Sequence, residues 1–147
     1  ELKDNLKEIK EETLTQCIEA VEPWEMVFGK VAEGPSILKR DGLYYLLYSA
    51  NDFRSQDYAV GYATSDSPFG PWKKNSKNPL LHRVDELVGT GHGAPFADKD
   101  GNLRYIFHAH KSQTEVNQRN SYIVDMSLSG KDQVSIGGGL IRPAVVK

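Results

Sequence analysis

From about residue 31 onward the apolar positions come in short runs, each closed by turn-forming residues. Tyr44-Tyr45-Leu46-Leu47-Tyr48 is aromatic and apolar throughout, the pattern of a strand buried on both faces. Tyr58-Ala59-Val60-Gly61-Tyr62-Ala63-Thr64 reads the same way. Arg40-Asp41-Gly42, Ser67-Pro68-Phe69-Gly70-Pro71 and Asp98-Lys99-Asp100-Gly101 punctuate these runs. Asp-Gly between two apolar runs predicts a hairpin. The first thirty residues differ. Leu2, Leu6 and Ile9 have helical spacing, Leu14 to Val21 alternates weakly, and a Pro23-Trp24 pair follows.

The pattern repeats. Glu33-Gly34-Pro35 leads through Ile37 and Leu38 to Asp41-Gly42 and then an aromatic strand. His92-Gly93-Ala94-Pro95 leads to Asp100-Gly101 and then Leu103-Arg104-Tyr105-Ile106-Phe107-His108. Aligned on the Asp-Gly pairs, Glu33 falls on His92, Tyr48 on Phe107 and Ser49 on His108. Each unit continues into a third strand, Tyr58 to Thr64 in one and about Ser121 to Met126 in the other. Repeated four-stranded antiparallel units predict an all-β fold, part of a β-propeller whose first strands line a central channel. A β-sandwich with chance similarity between hairpins is the competing architecture. The expected division is residues 1–30 as the end of a preceding blade, 31–80 as the blade carrying Glu33, and 81–147 as the blade carrying His92. Residues 1–30 are expected to supply outer strands, with a short N-terminal helix as the alternative.

Composition narrows the function classes. The 147 residues are 39% hydrophobic and 26% charged, with a formal net charge of -2, which is globular and gives no electrostatic footprint for nucleic acid. No apolar run approaches the ~20 residues of a membrane-spanning helix. The single cysteine, Cys17, has no internal partner and is expected to be a buried, inert thiol. The sequence has no Gly-x-Gly-x-x-Gly motif, phosphate-binding loop or nucleophile elbow, and Gly137-Gly138-Gly139 reads as a turn.

The candidate chemistry sits at the predicted channel end of the repeat. Glu33, before Gly-Pro, would be rigidly held and partly desolvated. Desolvation favours the protonated carboxyl, as a general acid requires; a solvated loop glutamate is the bland reading. His92, between Gly91 and Gly93, has a backbone free to approach a ligand or ion. His108 and His110 are two apart on a predicted strand and share a face, so with His92 they could form a three-histidine metal site; local hydrogen bonding is the competing reading. Trp24 precedes Glu33 and could stack on a sugar, whereas Trp72 and the tyrosines are expected in the core. Arg119 could reach a substrate hydroxyl or orient a carboxylate, or lie on the surface.

At this point the residues resemble a known family. Pro23-Trp24-Glu25, Glu33-Gly34-Pro35, Gly42 to Ser49, Val60 to Trp72 and Gly89-Thr90-Gly91-His92-Gly93 are similar, in that order, to glycoside hydrolase family 43. The likeness covers about Leu14 to His110. It implies part of a five-bladed β-propeller, about two to three blades, and an inverting hydrolase of xylose- or arabinose-containing plant polysaccharide. It implies Glu33 as the acid and His92 as the channel histidine beside a calcium ion or water cluster. Arg119 would be a substrate-contacting arginine. The family's base and tuning aspartates belong to earlier blades, and Asp52 and Asp57 lie in a loop, outside that context. The chain is therefore expected to correspond to roughly the second half of such a domain and to hydrolyse little alone. A non-catalytic carbohydrate-binding or structural propeller piece is the alternative. Self-association or docking to missing N-terminal blades, and an extracellular or periplasmic location, are also expected.

Overall fold

The computed structural model describes residues 1–144 as two four-stranded antiparallel sheets. The first contains β1 (Ala32–Arg40), β2 (Leu43–Ala50), β3 (Ala59–Ser65) and β4 (Lys73–Lys74); the second contains β5 (Gly91–Ala97), β6 (Leu103–Ala109), β7 (Asn120–Leu128) and β8 (Val134–Ile136). Both sheets follow chain order from their first strand to their last, the meander of a propeller blade. Among the described residues no helix is long and apolar enough to cross a membrane.

The core lies between the blades. Leu43, Tyr45 and Leu47 alternate along β2 and pack with Val60 and Tyr62 of β3 against Tyr105, Phe107, Tyr122 and Val124 of the second sheet. The intervening residues Leu46 and Tyr48 point to the opposite face, yet are also buried. That face is covered by the chain before β1. Glu25, fully buried, accepts hydrogen bonds from Tyr48 Oη at 2.6 Å, from Lys74 Nζ at 2.6 Å and from the backbone N–H groups of Val21 and Glu22. Asn51 ties the same segment down, donating to the carbonyl of Trp24 and accepting from the N–H of Val27.

Residues 1–31 differ from both expectations for them. They form neither outer strands nor an α-helix. They contain 3₁₀ turns at Glu11–Thr13 and Pro23–Glu25 and an isolated Leu2–Ile9 bridge. The helical spacing of Leu2, Leu6 and Ile9 has no surface to bury against, and the three are 51%, 75% and 52% exposed. A short segment gains little from helix formation without such packing. Cys17 is exposed, not buried, because the weak alternation around it pairs with no sheet.

The hairpins also differ. Arg40 pairs with Leu43 across a two-residue turn, with Asp41 and Gly42 both at positive φ, the type I′ geometry that Asp-Gly favours. In the second blade Ala97 pairs with Leu103, so Asp100-Gly101 sits inside a five-residue loop. Asp98 organises that loop, accepting from the N–H groups of Asp100 and Asn102. The longer loop slips the pairing of β5 by one residue relative to β1. Glu33 pairs with Ser49, but the matching His108 pairs with Gly91. His92 thus matches Gly34 in the sheet rather than Glu33. A bulge follows in both strands, and its left-handed residue is Gly34 (φ +57) in β1 and His92 (φ +49) in β5.

Candidate active site

The two bulges face each other where the innermost strands β1 and β5 meet. A Cβ on Gly34 would lie 3.2 Å from His92 Cγ, so glycine is what lets the imidazole approach the β1 backbone. The N–H of His92 donates to Ser49 Oγ at 2.8 Å, fixing the bulge to the first blade.

Glu33 and His92 are brought together, and a third residue joins them. Tyr58, fully buried just before β3, donates its hydroxyl to Glu33 Oε1 at 2.8 Å. The same hydroxyl lies 3.3 Å from His92 Nδ1, and His92 Nδ1 is 3.9 Å from Glu33 Oε1. Burial, and then the carboxylate of Glu33, push the Tyr58 phenol well above its ordinary range, so it remains a donor. The Glu33 side chain keeps 38% of its surface exposed, so its carboxyl is accessible. An open groove of about 440 Å³ begins beside it, lined by Gly34, Ser36, His92, Ile106, His108 and Ser121 among others.

The histidines do not converge on a metal. His108 stacks on Tyr58 with ring centroids 5.6 Å apart and planes 6° from parallel, and its Nε2 lies 2.8 Å from Arg119 Nη1. An arginine donates only, so Nε2 accepts and the ring is neutral. Burial, and then the positive charge of Arg119, lower the His108 pKa to about 4. His110 lies one residue past β6, with its Nε2 2.8 Å from the carbonyl of Phe53. Among the described residues no three His, Cys, Asp or Glu side chains could hold a metal ion. Calcium seeks about six to eight oxygen ligands, whereas His92 offers nitrogen, and one of its nitrogens already faces Tyr58. The described residues by themselves form no calcium cage.

Trp24 lies elsewhere. It packs on Tyr48, 5.9 Å between centroids, and over Gly61, where a Cβ would meet its ring at 2.8 Å. That is the face of the first sheet turned away from the second, so Trp24 anchors the segment before β1 and does not reach the Glu33 cluster. Arg119 reaches the cluster only through His108, with its guanidinium over the Phe53 ring at 4.6 Å. Asp52 is clamped by Arg54 at 2.7 Å, whose hydrogen bonds hold its pKa down to about 2. Asp57 faces His82 and Arg83 at 3.2 and 3.5 Å. Tyr58 was missed as a site residue by reading the sequence, and His108 was read there only as a possible metal ligand or a local hydrogen-bonding group. The signal for Tyr58 was its place at the head of a strand aligned with the Glu33 and His92 bulges.

Two four-stranded meanders whose innermost strands meet are adjoining blades of a β-propeller. The chain belongs to the glycosyl hydrolases family 43, whose model matches residues 1–131. A solved endo-1,4-β-xylanase from Bacteroides thetaiotaomicron superposes with a TM-score of 0.94 at 57% identity, covering 99% of this chain and 51% of that one. The β-D-galactofuranosidase xynD of Aspergillus niger is 34% identical over 76 residues, 52% of this chain and 22% of that protein. An extracellular exo-α-(1→5)-L-arabinofuranosidase from Streptomyces chartreusis is 35% identical over 94 residues, 58% of this chain and 28% of that protein. The chain therefore spans about half of the solved relative and less than a third of each curated one.

Proposed function

We propose that Glu33 is the general acid of an inverting glycoside hydrolase acting on xylose- or arabinose-containing polysaccharide. The observation that carries this is the Tyr58–Glu33–His92 cluster, an oriented yet accessible carboxyl where two inner strands meet. Glu33 gives its proton to the glycosidic oxygen as the bond to the anomeric carbon breaks. Water attacks that carbon from the opposite face and loses a proton to a second carboxylate. The xylanase and arabinofuranosidase names of the relatives support this substrate class, and the extracellular relative supports action outside the cell.

Inversion needs the second carboxylate ~6.5–9.5 Å from the acid. No acidic side chain among the described residues lines the groove, and Asp52 and Asp57 are committed to basic neighbours. The base comes from further blades or from a second chain. Phe28 and Val27, each 61% exposed beside β1, offer apolar surface for such an assembly.

Hydrolysis of aryl xylosides and arabinofuranosides by this chain alone, with product anomers followed by NMR, tests the reading. Little turnover is expected without a partner that supplies the base. With that partner, Glu33→Gln should lower kcat on xylo- and arabino-oligosaccharides, whose alcohol leaving group needs the proton, by roughly 10²–10⁴-fold, and the product should appear with inverted configuration. Equal rates for wild type and Glu33→Gln in the complete enzyme would remove Glu33 from the reaction. Fast turnover by a chain that sediments as a monomer would show that the base is its own.

A further inference from the structure

We propose that Tyr58 is a positioning residue that gives the two oxygens of Glu33 different tasks: Oε1 is held by the protein, and Oε2 carries and delivers the proton. The inference rests on the reading of Glu33 as the acid. The Tyr58 ring is fixed from two sides. One edge lies where a Cβ on Gly91 would be only 2.4 Å away, so β5 closes against it. One face stacks on His108, which Arg119 holds in turn at Nε2.

The phenol oxygen so placed is 2.8 Å from Glu33 Oε1 and 3.3 Å from His92 Nδ1. A phenol has one proton to donate, and the shorter contact to a carboxyl oxygen takes it. An oxygen that already accepts this hydrogen bond is the poorer site for the carboxyl's own proton. That proton therefore rests on Oε2, for which the described residues supply no hydrogen bond. On reaction the Oε2–H bond breaks and the glycosidic oxygen gains the proton as its bond to the anomeric carbon breaks. The carboxylate left behind is stabilised on Oε1 by the same phenol, which keeps its proton throughout.

Tyr58→Phe removes the hydroxyl and leaves the ring. In the whole enzyme that carries this chain, kcat for a substrate with a poor alcohol leaving group should fall about tenfold with KM little changed. For a 4-nitrophenyl leaving group, which departs without protonation, it should stay within about twofold. A role in packing alone would lower both rates alike, and that result overturns the proposal. A second measurement needs no turnover. With tyrosine labelled at ¹³Cζ, the Tyr58 resonance should move in Glu33→Gln, which replaces the carboxyl acceptor by an amide, and stay nearly in place in His92→Ala. A resonance that moves with His92 and not with Glu33 overturns the pairing assigned here. A whole enzyme inactive on every glycoside, with the resonance still following Glu33, overturns the hydrolase reading and with it the role of Oε2.

Discussion

The two blades share a hairpin plan and an inner face, but their outer faces are treated differently. In β2 every residue but Tyr44 is buried, whereas in β6 burial alternates, with Tyr105, Phe107 and Ala109 buried and Ile106 exposed between them. The outer face of the first blade carries Leu46 and Tyr48 beneath the Trp24–Glu25 segment. In the second, Ile106 is 37% exposed, and Arg104 pairs with Asp98 and Asp125 at the surface. One blade is thus fixed on both sides and the other on one. Glu33 stands on the doubly supported blade, and the histidine that meets it comes from the other.

The largest expected effect breaks this asymmetry at its anchor. Glu25→Ala leaves Lys74 beside Tyr48 without its carboxylate and frees the covering segment. Removing one partner of a buried ion pair costs about 3 kcal/mol or more, measurable as a lower denaturation midpoint. Asp125→Asn on the second blade should cost less than about 1 kcal/mol, as exposed pairs do. Equal losses would mean that the cover over the first blade contributes nothing special.

A smaller effect sharpens the comparison between the bulges. Gly34→Ala places a Cβ at a left-handed residue and against the His92 ring, which should destabilise by about 1–2 kcal/mol. His92→Gly relieves the same backbone conformation in β5. It should leave stability unchanged or raise it by up to about 1 kcal/mol, while removing the imidazole from Glu33 and Tyr58. A strongly destabilised His92→Gly would show that the imidazole is chiefly a packing element.

A further effect concerns pH. His108 is neutral in the fold, with its pKa lowered to about 4 by burial and by Arg119, against ~6.5 in an unfolded chain. Between those values the unfolded state binds more protons, so stability rises with pH across the window. The contribution is complete above about pH 6.5 and is lost as pH falls towards 4. Thermal midpoints from pH 4 to 7 should climb more steeply in wild type than in His108→Phe, which keeps the stacking on Tyr58 but cannot titrate.

Much of this was legible in the sequence. The unbroken run Tyr44 to Tyr48 announced a strand buried on both faces, and Leu103 to His108 announced the aromatic strand that matches it. The recurrence of small residues, an Asp-Gly pair and an aromatic strand gave the blade, because period-two patterning and turn chemistry are local properties. It also led to Glu33 and His92. What local pattern could not supply was register. Asp41-Gly42 and Asp100-Gly101 are the same dipeptide, but one makes the turn and the other lies inside a longer loop held by Asp98. That one-residue slip moved His92 from the position of Glu33 to the left-handed position of Gly34.

Tertiary structure alone decided the rest. Trp24 is nine residues before Glu33 in the sequence, yet packs on the other face of the sheet, because Glu25 and Asn51 hold its segment there. Tyr58 and His108, 50 residues apart, stack only because the closed approach of β5 at Gly91 brings the blades together. The sequence by itself determined the strands, the turns and the acidic residue at the head of the inner strand, since these depend on neighbours along the chain. Which atoms surround that carboxyl depended on neighbours across two sheets, and only packing could choose them.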